Sequence, residues 1–276
     1  MLTTAGLSLA AFGLGTQVYG SVSDQIPDFS GSPKEITESG GWKYVPIDAQ
    51  KTADDSYALF AEGACHYASF RAIVTNVANA LLATGNANDA MLAKTYLAFP
   101  FYMMVYGQAG LAFYGSLCGA INGCAAALSV FVPDRADKFA MIRDINVWYE
   151  ETPLPVYVPK DDQYPGKMPT TVAKSILCHL SLDQWVKGTE YTFEGPVRAE
   201  RCNRLTCDTV VKTVKLLNEY HAERTKTLAA LAPLLPETQS CVQCHSPSQG
   251  RYDSLATMNC TACHSEPQTD HLCPRK

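Results

Sequence analysis

The sequence lacks an excess of basic residues. Its 276 residues include 22 Lys and Arg against 27 Asp and Glu, which gives a net charge of -5. Nucleic-acid-binding proteins cluster Lys and Arg on their binding face, so this balance argues against that function. Hydrophobic residues make up 47% of the chain. That fraction excludes a disordered protein and allows one large or two small domains with a sizeable core.

Runs of alternating polar and apolar residues, which are typical of β-strands, are also missing, and helical patterns dominate from residue 54 onwards. We therefore predict an all-α protein whose helical domain occupies residues 54–236. An extended lead-in rich in Pro, Gly and Ser (21–53) precedes this domain, and a small module of low regular structure (237–276) follows it. The expected helices span 57–82, 89–99, 107–132, 134–149, 169–187 and 197–232.

No charged residue occurs between Lys94 and Asp134, a span long enough to cross a lipid bilayer. The basic clusters that usually flank a membrane span are missing as well. Gly115, Gly119 and Gly123 recur every fourth residue, a spacing that lets a helix approach its neighbours or a cofactor closely. We therefore favour a buried central helix over a transmembrane one, and we do not expect membrane association.

Residues 1–20 carry no charge and have the character of the apolar region of an export signal. Such a signal normally opens with Lys or Arg, and the first basic residue here is Lys34. The stretch fits the end of a twin-arginine signal whose basic start lies upstream of Met1, and it predicts export to the periplasm. A buried or membrane-lying N-terminal helix is the alternative.

The chain contains 11 Cys, an odd number in a protein too large to need stapling by disulfides. Residues 241–245 and 260–264 are two copies of C-x-x-C-H, the motif that attaches c-type haem. Both thiols bond to the haem, and the following His ligates the iron. The tail therefore predicts two covalently bound haems c per chain. The residues that would bind them are Cys241, Cys244, Cys260 and Cys263 for the thioethers and His245 and His264 for the iron.

The same spacing fits a zinc ribbon, because 15 residues separate the two Cys pairs. A His directly after both pairs is improbable by chance in a sequence with six His, and it favours haem. Only residues 246–259 connect the two motifs, so the haems should lie close together. Because this tail is too small to cover two haems, the helical domain or a second subunit must do so, which predicts a homodimer.

Each haem iron needs a sixth ligand if it is to be closed to substrates. His221 and His271 are the distal candidates, His179 is held in reserve, and Met258 is the alternative thioether ligand. Bis-histidine ligation would favour an electron carrier with redox protein partners and no catalytic residues. An open haem position would favour a multihaem reductase acting on a small nitrogen or sulfur species, and the sequence leaves that alternative open.

Seven cysteines lie outside the haem motifs. Four thiolates from different helices can hold an iron-sulfur cluster. Cys118 and Cys124 are six positions apart, and Cys202 and Cys207 are five apart, so neither pair faces a single point on its helix. Buried free thiols and disulfides are the other interpretations. One Cys from each helix gives the cluster candidates Cys65, Cys118, Cys178 and Cys202, with Cys124 and Cys207 as alternatives and Cys273 unassigned.

The pattern formed by Gly63-Ala64-Cys65, the Cys-Gly-Ala-x-x-Gly motif at 118–123, and later cysteines at 178 and 202 resembles a family of redox-active proteins. Joined to two C-x-x-C-H motifs, it resembles the split-Soret cytochromes c of anaerobic sulfate-reducing bacteria over residues 54–276. The resemblance implies a periplasmic homodimer with two bis-histidinyl haems per chain, stacked nearly in contact, and an axial His from the other subunit. It also implies an iron-sulfur centre in the helical domain.

Overall fold

The computed structural model of the chain describes residues 41–160, 167–242, 245 and 257–262. The export-like segment at 1–20 and most of the lead-in lie outside the described residues. The predicted site residues that also lie outside them are Cys244, Cys263, His264, His271 and Cys273.

Eight α-helices and very little strand make up the described chain, which confirms the all-α prediction. A two-residue antiparallel ribbon, β1 (Pro153–Leu154) with β2 (Thr171–Val172), and two 3-10 turns, Phe101–Gly107 and Cys260–Ala262, complete it. The helices are α1 (Ala49–Ala83), α2 (Ala87–Leu97), α3 (Gly119–Phe131), α4 (Arg135–Glu151), α5 (Cys178–Lys187), α6 (Pro196–Ala222), α7 (Arg224–Ala230) and α8 (Pro236–Val242).

Helix α1 is the centre of the fold because it packs against α2, α3 and α6. Its buried side includes Ile73, Val77 and Leu81, which recur at helical spacing and are inaccessible to solvent. Helix α6 presents Val210 and Val214 in the same way. Burying each such side chain contributes about 1.5–3 kcal/mol relative to leaving it in water.

Three helices begin at polar N-cap residues. The side chain of Asp48 accepts a hydrogen bond from the backbone amide of Lys51 at the start of α1. Asn86 and Asp134 cap α2 and α4 in the same way. Such a cap replaces one of the hydrogen bonds that the first helical turn lacks, and it stabilises the helix by about 1 kcal/mol.

The predicted helix at 107–132 is wrong in its first half. Residues 109–113 all have positive φ, from 49° to 70°, and form a left-handed turn instead of a right-handed helix. Gly110 adopts this conformation without strain, and Gly115 (φ 73°) closes the turn, so the chain enters α3 only at Gly119. An apolar sequence that reads as helix thus becomes an irregular segment.

Two other predicted helices start or end elsewhere. The helix expected from residue 169 begins at Cys178, because Thr171 and Val172 pair with β1. The helix expected over 197–232 is interrupted at Glu223, whose φ of -150° separates α6 from α7. Within the described part of the chain, no helix is long and apolar enough to cross a membrane.

Candidate functional site

Four cysteines from four separate elements come together in the helical domain, and they are the four predicted as cluster ligands. Cys65 follows a break in α1 at Gly63 and Ala64, where the backbone leaves helical geometry. Cys118 is the N-cap of α3, and Cys178 is the first residue of α5. These three lie at the starts of helical segments, where unpaired amides favour negative charge. The fourth thiol is that of Cys202 in α6.

An isolated antiparallel bridge between Leu117 and Leu177 aligns two of these cysteines. The backbone amide of Cys118 donates to the carbonyl of Ile176 at 2.9 Å, and the amide of Cys178 donates to the carbonyl of Ser116 at 2.6 Å. The first turns of α3 and α5 therefore start side by side, although they are far apart in the sequence.

The glycines of the Cys-Gly-Ala-x-x-Gly motif let α3 approach α1. A Cβ atom at Gly119 would collide with the Cys65 sulfur and lie 2.7 Å from the carbonyl oxygen of Gly107. One at Gly123 would collide with the Ser69 hydroxyl and lie 2.5 Å from the carbonyl oxygen of His66. The close approach predicted from the four-residue glycine spacing is therefore confirmed for Gly119 and Gly123.

The thiols affect one another electrostatically. Burial, together with smaller contributions from the neighbouring Cys118 and Cys202, raises the pKa of Cys65 to about 12. Burial raises the pKa of Cys178 as well, with additional contributions from Cys118, Cys202 and Cys65. At neutral pH these thiols hold their protons, so a metal ion that binds them must release those protons.

The thiols are neighbours without forming a coordination shell. Within the described residues, no three His, Cys, Asp or Glu side chains are arranged so that they could hold a metal ion as they stand. Each of the four cysteines is a free thiol. Binding iron would therefore require deprotonation and a change in side-chain rotamers, which the short Cys side chain allows.

The alternative cysteines lie in different surroundings. Cys124 is fully buried, burial raises its pKa to about 12, and of the four clustered thiols Cys118 alone contributes to that shift. The thiol of Cys207 donates to the carbonyl of Ala53 at 3.3 Å, and its acidic neighbours include Asp208 and Glu200. Helix α6 thus directs Cys202 toward the other thiols and Cys207 toward a different part of the interior.

A buried polar network adjoins the four thiols. Arg201 donates from Nη2 to the Ser181 hydroxyl at 2.9 Å, and Ser181 and Tyr149 share a hydrogen bond of 2.8 Å. The Tyr149 hydroxyl also interacts with the Cys118 thiol, although burial raises the pKa of that thiol overall. No motif in the sequence marks these residues; the one signal is that Arg201 directly precedes Cys202.

The left-handed turn lies against the thiols and presents aromatic side chains to solvent. The backbone of Ala109 hydrogen-bonds to Cys65, and His179 Nδ1 donates to the carbonyl of Gly115 at 2.9 Å. Phe113 is 72% exposed and Tyr114 is 86% exposed. Residues in unfavourable backbone conformations of this kind concentrate at functional sites.

The first cysteines of the two haem motifs are neighbours in the tail. Cys241 at the end of α8 interacts with Cys260, whose pKa is raised by burial and then by Cys241. The hydroxyl of Thr238 donates to the carbonyl of Met258 at 3.3 Å, which ties α8 to the second motif. The amide of His245 donates to the carbonyl of Cys241 at 2.9 Å. This proximity agrees with the short link between the motifs.

Helix α4 connects the tail to the helical domain. The carboxylate of Glu150 accepts a hydrogen bond from the backbone amide of Asn259 at 3.1 Å. Burial raises the pKa of Glu150 to about 6. A cleft of about 350 Å³ lies between α4 and the chain at Thr257 and Met258, and Phe139, Ile142 and Arg143 line it on the helical side.

The two candidate distal histidines in the described residues, His179 and His221, form hydrogen bonds within the helical domain. His221 Nε2 donates to the carbonyl of Phe131 at 3.0 Å, and its ring stacks on Tyr44 with centroids 4.6 Å apart. His179 lies beside Cys178, where Gly115 holds it. His221 would have to leave these contacts to bind a haem iron, and all three histidine assignments, including His271, stay predictions.

The fold and the clustered thiols define a class of helical redox protein. Residues 84–216 match the family described as "Putative redox-active protein (C_GCAxxG_C_C)". The matched range contains Cys118, Cys178 and Cys202 as well as Cys124 and Cys207, and it begins after Cys65. Helix α1 places Cys65 beside Cys118, Cys178 and Cys202.

The chain is a homologue of split-Soret cytochrome c, which is a redox protein. It is 29% identical over 262 residues to the split-Soret cytochrome c of Desulfovibrio desulfuricans (strain ATCC 27774 / DSM 6949 / MB), and the alignment covers 93% of this chain and 88% of the relative. It is also similar to the solved structure of the split-Soret cytochrome c from Desulfovibrio desulfuricans ATCC 27774, which is described as having a novel iron centre. That comparison has a TM-score of 0.72 and 28% identity, and covers 84% of this chain and 93% of the other.

Proposed function

We propose that this chain is a periplasmic electron-transfer protein with two covalently bound haems c in its tail and an iron-sulfur centre in its helical domain. The observation that carries the proposal is the convergence of Cys65, Cys118, Cys178 and Cys202 from four separate elements. Sulfur ligands of this number are typical of iron-sulfur clusters. The relative whose solved structure describes a novel iron centre supports an additional iron site.

The residues around the thiols fit such a centre. Gly119 leaves room for the Cys65 sulfur where any side chain would collide with it. The helix starts at Cys118 and Cys178 favour thiolates over thiols, and the buried guanidinium of Arg201 adds a positive charge beside them. These features oppose the effect of burial, which by itself keeps the thiols protonated.

The residues of the tail fit covalent haem. Cys241 and Cys260 would each supply one thioether bond, and His245 would ligate a haem iron. The cleft beside Met258 offers apolar side chains of α4 that could cover part of a macrocycle and exclude water from it. When bound, haem and an iron-sulfur centre both supply one-electron redox chemistry.

Export and dimerisation belong to the same proposal. The uncharged segment at 1–20 supports export by a twin-arginine route to the periplasm, where c-type haems are attached. The small size of the tail supports a homodimer in which the second subunit covers the haems and supplies an axial His. Redox proteins of the bacterial envelope would then be the partners, in anaerobic respiration.

The ratio of iron to haem, combined with electron paramagnetic resonance, tests the iron-sulfur centre. We expect wild-type protein to contain iron in excess of haem and the Cys118→Ser variant to lose that excess. Cys124→Ser is the matched control, because Cys124 is buried in the same helix and lies outside the proposed ligand set. Iron equal to haem in wild-type protein would contradict the centre.

The haem part of the proposal has its own test. Haem should stay with the protein after extraction with acidified acetone, and the ferric spectrum should be low-spin and unchanged by cyanide, nitrite or hydroxylamine. A high-spin spectrum or rapid binding of these ligands would favour the alternative, a multihaem reductase. A colourless protein that binds zinc would contradict both.

A further inference from the structure

Arg201 carries a buried positive charge that no acidic side chain among the described residues balances. The residue is 2% exposed, and within the described chain it forms no ion pair with a carboxylate. Its Nη2 atom donates to the hydroxyl and the carbonyl of Ser181, and its Nε atom has no hydrogen-bond partner. A charge in a protein interior is strongly unfavourable unless an opposite charge or a full set of hydrogen bonds compensates it.

Arg204, one turn further along α6, is a buried arginine whose charge is compensated by a carboxylate. Its side chain is inaccessible to solvent, and its Nε atom forms an ion pair with Glu200 at 2.6 Å. The two residues thus have the same side chain, helix and degree of burial, but only Arg204 faces a carboxylate.

The groups that neighbour Arg201 are those of the cysteine site. Burial lowers the pKa of its guanidinium, but Cys202, Tyr149 and Cys118 outweigh that effect and raise it overall. Within the described residues no carboxylate offers the opposite charge, and an anionic centre held by Cys118 and Cys202 would supply it.

We infer that Arg201 is a positioning residue that balances the negative charge of the thiolate-bound iron centre and thereby sets its reduction potential. The inference rests on the proposed function. Reduction adds an electron, so a fixed positive charge nearby favours the reduced state and raises the potential. Ser181 holds the guanidinium in place by accepting a hydrogen bond of 2.9 Å at its hydroxyl, and Tyr149 supports that hydroxyl through a hydrogen bond of 2.8 Å.

The test is the midpoint potential of the iron centre in the intact protein, measured by a redox titration followed by electron paramagnetic resonance. We expect Arg201→Gln to shift the one-electron equilibrium at least tenfold against the reduced state, which is a decrease of about 59 mV. Arg201→Lys keeps the charge and should restore most of the potential. The haem potentials in the same sample should stay unchanged.

Two further variants separate charge from structure. Arg204→Gln removes a buried arginine of the same helix, and we expect it to lower the melting temperature without moving the potential of the iron centre. Ser181→Ala keeps Arg201 but removes the hydroxyl to which its guanidinium donates and leaves the hydrogen bond to the Ser181 carbonyl, so we expect a smaller decrease in potential. This variant also tests the inference if Arg201→Gln does not fold.

The outcomes distinguish the inference from the proposed function. If Arg201→Gln has full iron content and an unchanged potential, the inference is overturned but the proposed function is not. If Arg201→Gln does not fold, the same result in Ser181→Ala overturns the inference. A shift in potential in Arg204→Gln equal to that in Arg201→Gln would also overturn it. Loss of iron from Arg201→Gln but not from Arg201→Lys would support it. Iron equal to haem in wild-type protein would overturn the proposed function, and the inference with it.

Discussion

The helical domain and the tail place their cysteines by different means. In the tail, Cys241 and Cys244 are three positions apart, so the spacing of a short motif fixes their relation whatever the rest of the chain does. In the helical domain, Cys65 and Cys202 lie on helices α1 and α6, and only the packing of those helices brings them near each other. The tail site is therefore local, whereas the domain site depends on the whole fold.

Removing one haem motif should lower the haem content of the tail without affecting the iron site of the helical domain. We expect the double variant Cys241→Ser and Cys244→Ser to lose half of the covalent haem, because both thioether bonds of one motif disappear. The iron of the helical domain should remain. Haem content from pyridine haemochrome spectra and total iron check this. Cys65→Ser is the reciprocal control, and loss of both cofactors from either variant would contradict the independence of the two sites.

Filling the space beside Cys65 should damage the domain site alone. In Gly119→Ala the new methyl group collides with the Cys65 sulfur and crowds the carbonyl oxygen of Gly107. We expect the free energy of unfolding to fall by about 1–3 kcal/mol, the usual cost of overpacking, together with loss of non-haem iron. Urea unfolding and iron content check this. Ser129→Ala, at an exposed position of the same helix, should change neither.

Removing Cys207 should show that a buried thiol outside the group of four cysteines does not bind the iron. The variant Cys207→Ala loses the thiol that donates to the carbonyl of Ala53, and we expect a decrease in stability of about 1 kcal/mol. Iron content and the spectrum of the iron centre should equal those of wild-type protein. Loss of iron would instead place Cys207 in the ligand set and overturn the choice of Cys202 on helix α6.

Protonation of Glu150 should modulate the contact between the domain and the tail. Burial raises the pKa of this carboxyl from 4.5 to about 6. Its contribution to stability is therefore complete below about pH 4.5 and is lost as the pH rises through about 6. After allowance for solvent screening, we expect about 1 kcal/mol of this pH dependence to disappear in Glu150→Gln. Urea unfolding of wild-type protein and Glu150→Gln at pH 4.5 and pH 8 measures this pH dependence. If the free energy of unfolding changes equally with pH in both proteins, Glu150 is not its source.

The sequence was sufficient for the parts of the molecule whose chemistry is local. The helical class, the haem motifs and the close approach at Gly119 and Gly123 follow from spacing along the chain. The choice of one cysteine per helix agrees with the observed convergence, because positions five or six apart on a helix cannot face one point. The iron that these cysteines would bind stays a prediction.

Other features depend on contacts between distant segments and could not be predicted. The left-handed turn at 109–113 has the composition of a helix, and its conformation is fixed by contacts that include Cys65 and His179. Arg201 looks in the sequence like any other charged residue of α6. Its isolation from acidic partners becomes visible only once Ser181 and Tyr149 are placed beside it.

The bridge between Leu117 and Leu177 has a consequence for the way this site opens. Its two backbone hydrogen bonds belong to Cys118 and Cys178 themselves. Local unfolding that breaks one of them removes the support of the other, so both amides should exchange with deuterium in a single event. Access to the two sulfurs would then be all or none, and the rate of this event would limit how fast iron enters or leaves.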